Sequence, residues 1–390
     1  MNNHHRFYLP LCIAFGCIIF MLVWYSGSST SEYQNTMYAY AAETNSSSAQ
    51  NDPEVIAKQR REKPARQTVK GLYVTAYSAG SEKKIDEIIR LIDTTELNAV
   101  VIDIKDYSGR VLYDSDLAMV QDIGAEDNRI GDAKALIKKL HEHTIYVIAR
   151  QTVFQDPVLA GAKPEWAVKS KRGGIWRDRN GLSWVDPTQT SVWSYNVAIA
   201  KEAIRLGFDE INFDYVRFPS DGNMSDVVYT VPEKAKHEVM KEFYHFLNTE
   251  LTPRPALISL DLFGMIMDTV PTGSDMNIGQ RLVDSVDEVD YICPMMYPSH
   301  YAHGYAGYEN PAQYPSQVLA YSTKKGIDAF IDKRAEFRPW IQAFNIGAVY
   351  DAQKIRAQID TIEKYTDAGW LLWNAANRYT SDGLKSGLEF

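Results

Sequence analysis

Cysteine and net positive charge are both scarce in this sequence of 390 residues. The three cysteines are Cys12, Cys17 and Cys293, so neither zinc-ligand spacing nor a disulfide framework is visible. Lysine and arginine total 41 against 50 aspartates and glutamates, which gives a formal charge of −9. Because phosphate binding needs a basic surface, this balance argues against nucleic acid as the main partner. The hydrophobic content of 45% excludes a disordered chain and leaves material for a large core.

Several catalytic motifs are also missing. No G-x-S-x-G element and no cysteine with a plausible base are present, which disfavours a hydrolase with a serine or cysteine nucleophile. No H-E-x-x-H spacing is present, and neither a metal nor an organic cofactor is implied.

One long apolar run stands near the start of the sequence, from Phe7 to Tyr25. A run of about 20 such residues can cross a bilayer. Positive charge precedes it and no lysine or arginine follows before Lys58, so the positive-inside rule places the rest of the chain outside the cytoplasm. We predict a membrane anchor in residues 1–25; the alternative is a signal peptide cut near the A-x-A site at Ala39 to Ala41. The protein would then be held at the cell membrane or be secreted.

Residues 26–69 are predicted to form a low-complexity linker. The segment 26–53 is rich in Ser, Thr, Asn, Gln and Ala without a sustained period, which is typical of a flexible spacer. Charged residues interrupted by Pro64 follow it. We expect residues 70–390 to form a single domain, because strand and helix patterns alternate there.

Eight apolar runs bounded by turn signals define this domain. The predicted strands are 71–77, 99–105, 145–150, 210–218, 256–263, 291–297, 339–344 and 370–374. The predicted helices are 85–92, 133–143, 192–206, 232–251, 278–286, one helix within 311–331, and 352–366. Eight right-handed strand–helix units close most simply into a parallel (β/α)₈ TIM barrel, an α/β fold. A doubly wound open sheet is the alternative, but the turn from Ser78 to Ser81 lacks the expected G-x-G-x-x-G pattern.

Two aspartates, Asp214 and Asp261, lie at matching depths near the ends of the fourth and fifth predicted strands. Neighbouring strands are about 4.8 Å apart, so the two carboxylates would repel each other and the pKa of one would rise. A protonated carboxyl beside an ionised one suits general acid catalysis, and glycoside hydrolysis uses such a pair, with either retention or inversion. We therefore predict that Asp214 and Asp261 are catalytic.

Further polar and aromatic residues near strand ends are predicted to contact a sugar substrate. A polar residue late in an apolar strand costs free energy unless it is satisfied or used. The predicted contacts are Asp103, Lys105, Arg150, Arg217, Tyr297, His300, Gln342, Trp373 and Asn374. Two long loops, 154–190 and 298–310, carry aromatic rings that either stack on sugar rings or pack on the barrel rim. Those rings include Trp166, Trp176, Trp184, Tyr301, Tyr305 and Tyr308.

Four segments of the sequence resemble a known protein family. They are 71–75 (GLYVT), 98–106 (NAVVIDIKD), 208–219 (FDEINFDYVRFP) and 369–374 (GWLLWN), of which FDYVRFP is the most specific. The family is a bacterial one of proposed glycoside hydrolases, first catalogued as a domain of unknown function and distantly similar to the α-amylase-like barrels. The resemblance covers roughly Lys70 to Thr380 and implies a (β/α)₈ barrel that acts on a polysaccharide.

The resemblance also implies residue roles. By likeness to the α-amylase-like barrels, Asp214 would be the nucleophile. Those barrels have a Glu as the acid at the end of strand five, where this sequence has Asp261, and an Arg two residues before the nucleophile, where it has Asn212. The sequence thus predicts a glycoside hydrolase that cleaves a cell-envelope or extracellular polysaccharide. The alternatives are a non-catalytic carbohydrate-binding barrel of the cell envelope and a metal-dependent polysaccharide deacetylase that would use His300, His303 and Asp261.

Overall fold

Eight parallel strands form a closed barrel in the computed structural model, which describes residues 63–387. They are β1 (Val69–Val74), β2 (Ala99–Lys105), β3 (Tyr146–Thr152), β4 (Glu210–Asp214), β5 (Leu257–Phe263), β6 (Tyr291–Met295), β7 (Trp340–Gln342) and β8 (Gly369–Trp373). Each strand pairs with its neighbours in chain order, and β8 pairs back onto β1. Next to β7, the two-residue strand Glu336–Phe337 also pairs with β6. The (β/α)₈ barrel is thereby confirmed.

The helices lie between the strands along the chain. In the described residues they are α1 (Ala76–Ala79), α2 (Glu82–Asp93), α3 (Ala118–Asp122), α4 (Ala133–Glu142), α5 (Pro157–Ala162), α6 (Thr190–Leu206), α7 (Lys236–Leu251), α8 (Ile266–Thr269), α9 (Pro315–Gly326) and α10 (Ala352–Ile362). The loop between α5 and α6 contributes the short strand Lys169–Ser170, which pairs antiparallel with Val227–Val228. Long helices therefore connect most pairs of neighbouring strands, as parallel pairing requires.

Two predicted elements differ from the structure because the backbone leaves the right-handed region. The helix predicted over 278–286 is wrong: only a 3₁₀ turn at Leu282–Asp284 forms there. Asn277 and Gly279 have φ values of 58° and 85°, which a helix does not allow. The fourth strand ends at Asp214 and not at 218, because Tyr215 has a φ of 54°.

Side chains on the strands alternate between two apolar layers. Leu72, Val100 and Ile211 belong to the core that also contains the helices, whereas Val101 and Ile148 belong to a separate cluster inside the barrel. A barrel of eight strands leaves an interior just wide enough for such side chains to fill.

The floor of the barrel contains a buried ion pair that the sequence did not lead us to expect. Arg338 donates to both carboxylate oxygens of Glu210, the first residue of β4, and neither side chain is exposed. Tyr146 and Ser259 donate to the same carboxylate. A buried ion pair is tolerated when its oxygens are satisfied in this way.

The chain reaches β1 along the floor side of the barrel. Lys63 Nζ lies 3.3 Å from Asp290 Oδ2, and Arg66 lies 3.3 Å from Asp290 and 2.8 Å from Glu336. The predicted membrane segment of residues 1–25 and most of the predicted linker lie outside the described residues. Within residues 63–387, no helix combines the length and apolar character needed to cross a membrane.

Candidate active site

Three aspartates meet at Arg150 in the carboxyl-terminal mouth of the barrel. Arg150 Nη1 lies 2.6 Å from Asp103 Oδ1, and its Nε lies 3.4 Å from Asp261 Oδ2. Its Nη2 donates to Asp214. None of the four side chains is more than 8% exposed. The charges therefore interact in a region where water screens them weakly.

The register of the strands explains why these residues meet. Arg150 of β3 is paired with Asn212 of β4, and Asn212 is paired with Ser259 of β5. Because side chains alternate along a strand, Asp214 and Asp261, each two residues further on, point to the same interior side. The structure thus brings together the two carboxylates that the sequence placed at matching depths.

The Asp261 carboxyl lies in surroundings that favour its protonated form. Burial and the nearby charge of Asp214 raise the pKa of Asp261 to about 7, although the charge of Arg150 opposes the rise. Asn212 Nδ2 and Trp340 Nε1 donate to its Oδ1 at 2.8 and 2.7 Å and also oppose the rise. Asp261 can therefore hold a proton near neutral pH.

Asp214 has partners that favour its charged form. Besides Arg150, the backbone N–H of Tyr215 donates to Asp214 Oδ1 at 2.6 Å. Hydrogen bonds and opposite charge both stabilise a carboxylate. Tyr215 makes this contact from a left-handed conformation that costs a bulky residue on the order of 1 kcal/mol. Strained backbone of this kind often marks functional sites.

Asp103 is the third carboxylate of the cluster. Tyr73 Oη donates to its Oδ2, and Arg150 binds its Oδ1. Burial raises the pKa of Asp103, whereas Arg150 and Tyr73 lower it. Asp103 therefore links Arg150 to Tyr73, which lies near the end of β1.

Aromatic side chains form a wall beside the carboxylates. The rings of Tyr73 and Trp373 are stacked, with centroids 3.8 Å apart and planes at 20°. The guanidinium carbon of Arg150 lies 4.9 Å from the Trp373 ring centroid and 5.6 Å from that of Tyr73. Tyr297 is nearly buried, and burial together with the charge of Asp261 raises its pKa well above the ordinary value. The wall offers flat apolar surface next to charged groups.

Lys105, a predicted substrate contact, lies away from this cluster. The ladder between β2 and β3 shifts register between Asp103 and Lys105. Lys105 is fully buried and pairs with Asp156 at 2.8 Å, and its Nζ donates to the carbonyl of Thr152. Its charge is thus used within the fold.

Gln342 and Asn374 hold loop backbone near the mouth. Gln342 Oε1 accepts from the N–H of Ser299 at 3.1 Å, and its Nε2 donates to the carbonyl of Phe344 at 2.9 Å. Asn374 Nδ2 donates to the carbonyl of Ala343 at 2.7 Å. These side chains order the loops and make no contact with the three aspartates.

Arg217 and His300 lie at the rim of the mouth. The Arg217 guanidinium lies 4.9, 5.1 and 4.8 Å from the ring centroids of Trp184, Tyr215 and Phe263. Burial lowers the pKa of Arg217, and nearby acidic groups oppose that change. The His300 ring lies 5.3 Å from that of Tyr297, and burial lowers its pKa.

Two tryptophans of the loop 154–190 pack inward. Trp176 and Trp184 are 2% and 1% exposed. Their indole N–H groups donate to the Asn223 carbonyl and to Asp178 Oδ2, each at 3.0 Å. Their hydrogen-bonded, buried rings therefore stabilise the loop.

The sequence matches a family model over residues 71–379, and the description of that family is "Putative glycosyl hydrolase domain". The match covers the whole barrel and its site. The chain belongs to this family. No curated protein matches the chain.

Solved structures support the fold of this glycosyl hydrolase domain. The glycoside hydrolase domain of PgaB (BpsB) from Bordetella bronchiseptica matches 80% of this chain and 95% of its own length, with 15% identity and a TM-score of 0.54. The chitobiase of Flavobacterium johnsoniae matches 79% of this chain and 44% of its own, with 14% identity and a TM-score of 0.50. A hypothetical protein from Ruminiclostridium thermocellum is 40% identical over 49% of this chain and 96% of its own, with a TM-score of 0.46.

Three side chains of the candidate site were not predicted from the sequence: Tyr73, Asn212 and Trp340. Alternation along β4 already places Asn212 on the face of Asp214, so that signal was available. Arg338 and Pro339 interrupt the apolar pattern just before Trp340. Only the three-dimensional fold shows that the ring nitrogen of Trp340 reaches Asp261.

The metal-binding group considered for His300, His303 and Asp261 is not found among the described residues. Within residues 63–387, no group of three or more His, Cys, Asp and Glu side chains is arranged to hold a metal ion. His303 is exposed and lies 3.4 Å from Glu309.

Proposed function

We propose that this protein is a glycoside hydrolase that cleaves a cell-envelope or extracellular polysaccharide with a pair of carboxyl groups. Asp261 is the general acid, and Asp214 is the carboxylate that acts at the anomeric carbon, directly or through water. The observation that carries the proposal is that Asp214 and Asp261 both contact Arg150 in the buried mouth of the barrel, where burial and the charge of Asp214 raise the pKa of Asp261 to about 7.

The two aspartates would have different tasks because their surroundings differ. A general acid must be protonated at the working pH and release its proton to the departing oxygen. The nucleophile or base must be ionised in the same state of the enzyme. Arg150 contacts both carboxylates, so it also stabilises the charge that remains after Asp261 has given up its proton.

The aromatic wall supports a sugar as substrate. Trp373 is stacked on the buried Tyr73 and is itself only partly buried, and aromatic rings pack well on the apolar face of a pyranose. Arg217 and His300 at the rim would contact hydroxyl groups of neighbouring sugar units. The polysaccharide itself is proposed from the family and from the sequence prediction that the barrel lies outside the cytoplasm.

The substrate has to reach carboxylates that are almost covered. The side chains of Asp214 and Asp261 are 5% and 1% exposed. Tyr297, at the start of the loop that follows β6, faces both of them. We therefore propose that this loop moves away when a sugar chain enters the mouth.

Incubation of the full chain with a panel of envelope and extracellular polysaccharides tests the proposed function. We expect new reducing ends from at least one neutral or amino-sugar polymer at pH 6. Tight binding to a polymer without any new reducing ends would contradict the proposal and support the carbohydrate-binding alternative, for which Arg150 would serve only to neutralise the three aspartates.

A further inference from the structure

A chain of hydrogen bonds runs inside the barrel from its floor to Asp261. At the floor, Arg338 donates to both oxygens of Glu210, and Ser259 donates its hydroxyl to the same carboxylate. Asn212 Nδ2 lies 3.0 Å from Ser259 Oγ and 2.8 Å from Asp261 Oδ1. All of these side chains are at most 1% exposed.

The chemistry of these groups fixes the direction of every hydrogen bond. Glu210 forms an ion pair with Arg338, and a carboxylate can only accept, so it takes the single hydroxyl proton of Ser259. The Ser259 oxygen can then only accept from Asn212. The Asn212 amide must therefore turn its NH₂ group, and not its oxygen, toward Ser259, and the same NH₂ group donates to Asp261.

A second donor reaches the same oxygen of Asp261. Trp340 Nε1 lies 2.7 Å from Asp261 Oδ1, and an indole N–H can only donate. With two donors directed at it, Oδ1 must be an acceptor in both protonation states. When Asp261 is protonated, its proton is therefore on Oδ2, which accepts one longer hydrogen bond, of 3.4 Å, from Arg150 Nε.

We propose that Glu210, Ser259 and Asn212 are positioning residues that, together with Trp340, keep the proton of Asp261 on Oδ2, the oxygen that neither Asn212 nor Trp340 contacts. This inference rests on the proposed role of Asp261 as the general acid.

The oxygen of the Asn212 side-chain amide bears the cost of this orientation. Asn212 Oδ1 is buried and has no hydrogen-bond partner among the described residues. A buried amide oxygen without a partner is unfavourable. It is retained because the opposite orientation would leave Ser259 without a donor and would face Asp261 with an acceptor.

Three other ionisable groups near Asp261 keep the same protonation state near neutral pH. Burial raises the pKa of Cys293 in β6 to about 12 and that of Tyr297 well above its ordinary value, so both stay neutral. Nearby carboxylates outweigh the effect of burial on Arg150 and raise its pKa well above the ordinary value, so it stays charged. Among the carboxyl groups of the cluster, the charge of Asp214 is the one that raises the pKa of Asp261, and burial raises the pKa of Asp103 as well.

Removal of either donor to Oδ1 tests the proposal through the pKa of Asp261, independently of catalysis. We would titrate the full chain labelled with ¹³C-aspartate by NMR, identifying the Asp261 signal by its loss in Asp261→Asn. In Ser259→Ala the Asn212 amide loses its fixed orientation, and in Trp340→Phe the indole donor is gone. We expect the pKa of Asp261 to rise by about one unit in each variant, because a lost donor disfavours the carboxylate.

Ile148→Val is the matched control. Ile148 of β3 is paired in register with Glu210 of the neighbouring strand β4, but its apolar side chain takes no part in the series of hydrogen bonds, so its truncation should leave the pKa of Asp261 unchanged. An unchanged pKa in Ser259→Ala, or in Trp340→Phe if Ser259→Ala does not fold, would overturn the proposal. A rise in the pKa of Asp261 in a protein that cleaves no polysaccharide would support the hydrogen-bond chain while contradicting the function proposed for the site.

Discussion

At the scale of single residues, Arg150 makes different contacts with two similar carboxyl groups, those of Asp214 and Asp261. It binds Asp214 through its terminal nitrogen and meets Asp261 only through Nε at 3.4 Å. The charge of Arg150 therefore offsets only part of the effect of burial on Asp261, and the pKa of Asp261 rises. The sequence predicted that one member of the pair would have a raised pKa, but only the strand register and the position of Arg150 show which one.

The pH dependence of cleavage follows from that raised pKa. A general acid with a pKa of about 7 is protonated below that pH and loses its proton above it. We expect the rate of cleavage under saturating substrate to fall about tenfold per pH unit above pH 7. A profile that stays flat to pH 9 would contradict the assignment of Asp261 as the acid.

Replacement of Asp261 should affect substrates according to their leaving group. We expect Asp261→Asn to reduce cleavage of the polysaccharide by about 10²- to 10⁴-fold, because the leaving oxygen is no longer protonated. An aryl glycoside of the same sugar whose leaving group needs no proton should lose far less. Steady-state kinetics on both substrates measure this difference, and equal losses on the two would remove the acid role from Asp261.

At the scale of elements, the predictions succeeded where the sequence pattern is continuous. The strand at 99–105 was predicted with its correct bounds because four of its seven residues are Val or Ile. The sequence patterns did not predict the direction of a side chain where the local backbone conformation decides it. The register shift after Asp103 turns Lys105 out of the mouth, and the left-handed residues before Leu282 prevent the predicted helix.

The buried pair of Lys105 and Asp156 gives a test at this scale. Neither side chain is exposed, so Lys105→Met leaves a buried carboxylate without its partner. We expect a loss of about 3–5 kcal/mol in the free energy of unfolding, measured with urea. The KM of the protein that remains folded should not change. A variant of normal stability with a raised KM would instead restore Lys105 as a substrate contact.

At the scale of the whole molecule, residues 63–68 contact the floor of the barrel, and the three aspartates lie at its mouth. Residues 63–68 attach to the floor through Asp290, while the carboxylates lie at the opposite end of the strands. Burial alone would raise the pKa of Asp290, but the charges of Arg334 and Lys63 hold it below the ordinary value. A carboxyl with a lowered pKa stabilises the fold above its unfolded-state pKa, and this contribution is lost as the pH falls through the folded-state pKa.

Shortening the chain tests this attachment. A protein that begins at Val69 lacks Lys63 and Arg66, whereas one that begins at Lys63 retains both. Since these two side chains are about one-third exposed, we expect the shorter protein to be less stable by about 1 kcal/mol or less at pH 7. The difference should shrink below about pH 4. A difference in thermal unfolding that is independent of pH would show that the ion pairs are not its cause.

The central claim is that Asp214 performs chemistry on a glycosidic bond, and its most direct test is the yield of new reducing ends from Asp214→Asn. The account predicts that this variant unfolds at a temperature close to that of the unchanged protein and releases no new reducing ends. Asp221→Asn, which alters a carboxylate of the loop after β4 that is not among the ion-pair partners of Arg150, should remain active. Full cleavage by a folded Asp214→Asn protein would contradict the account.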